Sequence, residues 1–265
     1  MSDPLAIVKT SPELVARHDK EAWLALFSDR GRIEDPVGAG AYVGRARHSA
    51  FWDAFIAPNR VTFLPRRDFV SGDVVVRYVT ISTITPVSDE PFALPALIEY
   101  VVEGGRIASL RAFWEPRLAV GWHAKKGARG LVGLTKHGLR MTGGLGIGAA
   151  VGFSRALVPS LSRAEGRALA ARLAEAVRDR SVWLALTERA RVSVSALSPH
   201  GGDHRDAKTA WDAALAGTSE VSPEEVIVAG DHLACVLAQR GGSRALAAIA
   251  RVARGAVIDL RLIWS

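Results

Sequence analysis

Apolar residues near the start of the chain recur every three to four positions: Leu5, Val8, Leu14, Val15, Trp23, Leu24, Leu26 and Phe27. That spacing predicts helix over residues 4–28, in two pieces broken near His18-Asp19. A short strand is expected at 32–35, stopped by Pro36, with Val37-Gly38-Ala39-Gly40 as a loop. A third helix over 45–56 gathers Phe51, Trp52, Phe55 and Ile56 on one side. Four segments with strand character follow at 60–70, 73–85, 91–103 and 106–115, the last two joined through Glu103-Gly104-Gly105, a hairpin signal. Helices first and a curved antiparallel sheet afterwards predict an α+β architecture, with the helices covering one face of the sheet.

The pattern then recurs. Trp23-Leu24-Ala25-Leu26 returns as Trp183-Leu184-Ala185-Leu186, and Gly72-Asp73 before an apolar strand returns as Gly230-Asp231. Gly105 to Trp114 returns as Gly255 to Trp264, with Leu110-Arg111 matching Leu260-Arg261. Three matches in one order argue for a duplicated unit, too long for a solenoid repeat of a few tens of residues. The expected domains are 1–116 and 163–265, with a Gly-rich segment at 117–162 that belongs to neither copy.

Composition adds limits. At 265 residues the chain has room for two cores, and 49% hydrophobic with 23% charged residues describes an ordinary globular protein. No run reaches the roughly 20 apolar residues of a membrane span. A single cysteine, Cys235, and an N-terminus of acids and Pro without a basic, apolar leader predict a cytoplasmic protein. The net charge of +7 is concentrated: no acid lies between Glu115 and Glu165, where Arg117, Lys125, Lys126, Arg129, Lys136, Arg140, Arg155 and Arg163 stand. Aromatic residues do not interleave with these cations, so no nucleic-acid partner is expected. The cations and the apolar run at 145–151 suit peripheral contact with an anionic membrane through residues 123–155.

The sharpest chemical feature is Ile33-Glu34-Asp35-Pro36-Val37-Gly38. An acid at a strand end inside an apolar cup has its pKa raised by burial and serves as a proton shuttle near neutrality. The same acid also suits the plain role of opening an Asp-Pro turn. The second copy has Arg191-Val192-Ser193-Val194-Ser195 at this place, without an acid. His48 stands either at the cup mouth or in solvent. Gly143 to Gly148 (Gly-Gly-Leu-Gly-Ile-Gly) lacks the preceding strand and following acid of a nucleotide loop, and His200 and His204 lack a third metal ligand. Neither a metal nor a cofactor is expected.

Asp19 to Phe27, the Ile33-to-Gly38 element, Gly44-Arg45 before Ala50-Phe51-Trp52, and Gly105-Arg106-Ile107 to Ala112-Phe113-Trp114 together resemble ketosteroid isomerase, over residues about 5–116. That family belongs to the SnoaL-like, NTF2-like cone folds; its Asp base and its oxyanion hole of Tyr and protonated Asp are a worked case of pKa tuning. The resemblance implies two NTF2-like cones that pair within one chain as a pseudo-dimer, the second copy degenerate. It implies a steroid delta-isomerase-like activity on a steroid-like ketone, with Asp35 as general base. The family's oxyanion tyrosine falls on Ser11, its second donor on Leu97, and two pocket tyrosines on Phe27 and Trp52. Strand alternation with that alignment sends Val74, Val76, Tyr78 and Thr80, and Leu97, Glu99 and Val101, into the cup. Tyr78 and Glu99 are then the expected replacement donors, unless Tyr78 is a core phenol and Glu99 an ion-pair partner of Arg77 or Arg111. The expected pocket is Phe27, Phe51, Trp52, Phe55, Val76, Leu97 and Trp114. The open alternatives are a non-catalytic carrier of an apolar ligand and a SnoaL-like polyketide cyclase or hydratase.

Overall fold

The computed structural model describes residues 3–195, 207–215, 218 and 220–265, and the chain divides into two units: 1–66 with 73–158, and 67–72 with 159–265. In the first unit, α1 (Pro4–Ala16) opens on Asp3, whose carboxylate accepts the Leu5 N–H, with Pro4 in the first turn where no donor is needed. It buries Val8, Ser11, Leu14 and Val15. His18 takes a positive φ, and Asp19 caps α2 (Lys20–Ala25), so the expected break between two helical pieces is a cap and a turn. Then come β1 (Phe27–Glu34), β2 (Tyr42–Val43), α3 (Arg45–Phe51) running into a π-helical turn at Trp52–Ile56, and β3 (Arg60–Ser71), β4 (Val74–Thr85), β5 (Ser88–Glu103) and β6 (Arg106–Phe113).

The strands form one sheet in the order β2-β1-β6-β5-β4-β3, with β1 parallel to β6, and β5 antiparallel to both β4 and β6. Register decides what faces the helices. Tyr100 lies opposite Val75 and Leu110, and Ile98 opposite Arg77 and Ala112; these share one face. Glu99 lies opposite Val76 and Arg111, and Leu97 opposite Tyr78 and Phe113; these share the other. The helix-side core contains Val75, Val79, Leu94, Ile98, Tyr100 and Leu110 together with Trp23, Phe27, Phe51 and Trp52.

The segment expected as a linker is instead helical, and through Val158 it belongs to the first unit. It folds as α4 (Pro116–Ala124), α5 (Gly127–Leu145) and α6 (Ile147–Ala156). Its glycines explain the packing. A Cβ on Gly130 would sit 1.7 Å from the His123 carbonyl oxygen, and one on Gly152 would sit 1.8 Å from that of Ala39. Only a hydrogen side chain lets these backbones touch. Gly146, at φ +82°, turns the chain from α5 into α6, so residues 143–148 are a helix end and a helix start rather than a phosphate loop.

The second unit has α7 (Arg163–Ala176), opened by a reciprocal Ser162–Glu165 capping box, then α8 (Arg180–Thr187), β7 (Arg191–Ser195), α9 (Ala207–Ala214), β8 (Val221–Ala229), β9 (His232–Gln239), β10 (Ala245–Ala253) and β11 (Ala256–Trp264). Its sheet runs β7-β11-β10-β9-β8, with β7 parallel to β11 as β1 is to β6. Val192 lies opposite Leu260 as Ile33 lies opposite Leu110, which puts fully buried Val194 at the place Asp35 holds in the first unit. Cys235 is buried in this core, where desolvation pushes its thiol up to about 12. No helix among the described residues is long and apolar enough to cross a membrane. His200 and His204 lie outside the described residues, and among those described no cluster of side chains suits a metal ion.

Candidate functional site

A cavity of about 520 Å³ opens in the first unit, within the range of small-molecule pockets. Its floor is the helix-side face of the sheet, with Ile81, Leu94, Ile98, Tyr100 and Leu110. Ser11 and Val15 of α1, Phe51 and Phe55, and the inner faces of α4 to α6 complete the wall. Phe55, His137 and Phe153 make ring contacts with one another, and Phe153 also approaches Trp114. This aromatic group joins α5 and α6 to the sheet and closes one side of the hollow.

Asp35 stands at the end of β1 with one neighbour that defines it: the Trp114 indole Nε1–H donates to Oδ1 at 2.6 Å. Asp35 is half-buried and lines the cavity. Burial pushes the Asp35 pKa up to about 6, and the Trp114 hydrogen bond works in the opposite direction by favouring the charged form. With Oδ1 held by the indole, Oδ2 is the oxygen left to take or return a proton. Tyr42, two percent exposed, stands within electrostatic reach. Burial first, and then the Asp35 charge, push its phenol up to about 12, against Arg47, and its hydroxyl has no hydrogen-bond partner among the described residues.

Hydroxyl donors reach the same hollow. Ser11 Oγ accepts the Trp23 indole N–H at 3.0 Å, which leaves its own proton to donate elsewhere. Tyr100, three percent exposed, also lines the cavity. His123 and His137 look inward from α4 and α5; desolvation first, then the Arg140 and His123 charges, bring His137 down to about 4, so it is neutral at physiological pH. His123 Nδ1 lies 2.8 Å from the Ala119 carbonyl, so its N–H donates there.

Of the residues expected from sequence, Asp35, Phe51, Phe55 and Trp114 line the cavity. Phe27 and Trp52 do not: they are buried one layer back, each packed on Trp23. Val76, Tyr78, Leu97 and Glu99 are on the opposite face of the sheet, and Glu99 pairs there with Arg111 at 3.2 Å. Alternation fixes which residues of a strand share a face but not which face meets the helices. Here Val75 and Val79 of β4 and Ile98, Tyr100 and Val102 of β5 pack in the helix-side core, so the opposite set faces away. His48 is buried rather than at a mouth, with Nε2 3.2 Å from the Tyr42 carbonyl, and desolvation lowers its pKa. Sequence reasoning missed Tyr100, His123 and His137; the two histidines sat in a segment read as linker, although their apolar neighbours on α5 carried a helical period.

No curated protein matches the chain. Among solved structures, the delta 5-3-ketosteroid isomerase from Mycobacterium sp. is 28% identical, covering 44% of this chain and 96% of that one with a TM-score of 0.40. The protein RV0760c from Mycobacterium tuberculosis, solved with estradiol-17beta-hemisuccinate, is 28% identical over 43% of this chain and 95% of that one, TM-score 0.39. A computationally designed 17-OHP binder is 27% identical over 43% and 95%, TM-score 0.39. The family model for the SnoaL-like domain matches residues 8–110, the stretch that contains Asp35 and most of the cavity floor. Over residues 8–110 this chain is therefore similar to the SnoaL-like domain family.

Proposed function

We propose that the first unit is a cofactor-independent isomerase that moves a proton at carbon alpha to a carbonyl, on a steroid or similarly bulky apolar ketone. The observation that carries this reading is a carboxyl in an apolar hollow, held through one oxygen by Trp114 and tuned to about 6. Such a group is ionised at neutral pH yet basic enough to accept a proton from carbon and acidic enough to return it. In the proposed cycle Asp35 Oδ2 removes the proton, the C–H electrons delocalise onto the carbonyl oxygen as a dienolate, and the same carboxyl reprotonates the far carbon. Nothing is oxidised overall and no proton is lost. The developing oxyanion needs donors, and the Ser11 and Tyr100 hydroxyls are the groups we assign to it, in place of Tyr78 and Glu99. One well-placed donor contributes about a hundred- to thousandfold in rate.

The test is turnover of a 5-ene-3-ketosteroid, followed at the absorbance of its conjugated product, with wild type beside Asp35→Asn. Turnover lost in the variant while the steroid still binds supports the isomerase. Steroid binding without turnover in either protein replaces it with a carrier. The SnoaL-like family match supports a second reading, cyclisation or hydration of a polyketide-type substrate by the same acid. Val194 at the place of the acid supports a structural role for the second unit. The proposed duplication and self-pairing predict that 1–158 and 159–265, made as two chains, co-purify.

A further inference from the structure

Two helical faces in the segment read as a linker are exposed although they are apolar. On α5, Leu131, Thr135, Leu139 and Thr142 follow one another at steps of four and three and form one stripe, with Val132 beside it. Leu131 is 66% exposed and Leu139 68%, while Gly130, Met141 and Leu145 on the other side are buried. On α6 and just beyond it, Ile147, Val151 and Val158 continue the pattern, with Ile147 74% and Val158 78% exposed. A single exposed leucine means nothing, but aligned stripes on consecutive helices are a surface that water does not favour.

Charge states what that surface meets. Arg129, Lys136 and Arg140 step by seven and four along α5, so they form a second stripe about a third of a turn round the helix from the apolar one, with Val132 between them. Arg155 adds a cation on α6. None of these four is ion-paired among the described residues, in contrast to Lys126, which pairs with Glu90, and Arg117, which pairs with Glu115. No acid occurs in residues 116–164 to offset them. An apolar stripe bordered by unpaired cations, on helices too polar to span, is the pattern of a helix lying in the plane of an anionic lipid surface.

We propose that the exposed faces of α5 and α6 dock the chain on an anionic bilayer surface. Arg129, Val132, Lys136 and Arg140 also line the cavity, so the docked face borders its rim. The site would then open at the place where apolar ligands concentrate. This inference does not depend on the chemistry of Asp35, and an inert Asp35 leaves it standing.

The test is co-sedimentation of the full chain with vesicles of phosphatidylcholine, with and without phosphatidylserine, at low and high salt. Pelleting that requires phosphatidylserine and weakens with salt is expected. Leu131→Ser and Leu139→Ser should each weaken partitioning by about tenfold, and their combination by about a hundredfold. Lys136→Glu with Arg140→Glu should abolish the preference for phosphatidylserine. These side chains are exposed, so circular dichroism should show unchanged folds, and Asp35→Asn should bind vesicles as wild type does. Absence of pelleting, or equal pelleting of wild type and the double leucine variant, overturns the proposal. So does a concentration-dependent dimer in sedimentation velocity that the leucine changes abolish while vesicles remain unbound; that result assigns the face to a second copy of the chain.

Discussion

Replacing Asp35 by Asn should make the protein more stable above neutrality and leave it unchanged in acid. Asn keeps the shape and still accepts the Trp114 N–H, but removes the charge that burial disfavours. The folded carboxyl titrates at about 6 against 3.8 for the free group. A rise of that size is about 3 kcal/mol of native-state cost once the group ionises. The sign follows from linkage: a raised folded pKa means the native state binds protons more tightly, so its contribution is full below 3.8 and lost as pH rises through 6. At about pH 4 some half a kcal/mol of the cost has accrued, and by about pH 7.5 nearly all of it, which leaves roughly 2.5 kcal/mol between them. Urea unfolding of wild type and Asp35→Asn at both pH values, with the transition of the first unit fitted separately, reads this difference. A gap between the two proteins that does not change with pH would mean the carboxyl is solvated in the native state. The tuned base, and with it the proposed isomerase, would then have no physical support.

The same carboxylate predicts that kcat/KM rises with pH through about 6 and then levels, since only the ionised form is a base. Trp114→Phe removes the hydrogen bond that favours the charged form, so the midpoint of that pH–rate profile should move upward; a midpoint moving down refutes the assignment. Tyr100→Phe should lower kcat by about a hundredfold or more, because its hydroxyl is assigned to the oxyanion. Glu99→Ala, on the opposite face, should leave kcat unchanged while costing about 1–2 kcal/mol, since Arg111 loses Glu99 but keeps Glu34 at 3.4 Å, read by thermal melting beside the same assay. Gly152→Ala should cost about 2 kcal/mol or more because its Cβ meets the Ala39 carbonyl, whereas Gly143→Ala, with open space and helical backbone, should gain about 0.5–1 kcal/mol. Equal effects of the two in a denaturation series would refute the close-packing account of the segment.

Local pattern went far in this chain because most of its elements are decided locally. The two-piece opening helix follows from the Asp3 and Asp19 caps and the periodic Leu5, Val8, Leu14 and Val15. The strand boundaries follow from Gly72-Asp73 and Glu103-Gly104-Gly105. Asp35, Phe51, Phe55 and Trp114 were legible as cavity residues because the acid ends a strand and the rings lie at helix and strand positions that point inward. Residues 117–158 were less legible, since glycine reads as flexibility in a sequence. Here Gly130 and Gly152 are tight contacts between backbones, a property of pairs of distant segments.

The chain alone thus determined most of its elements outside 117–158, their order and the acid on which the proposed chemistry turns, because caps, turns and periodicity act over a few residues. Only the tertiary structure decided which face of β4 and β5 meets the hollow. That choice rests on the helices packing against Val75, Val79, Ile98 and Tyr100, and alternation leaves a strand's two faces equivalent until such packing is set. It also decided that Asp35 is dry enough to titrate near 6, since desolvation is summed over every neighbour that packing brings, including the helices the sequence left as a linker.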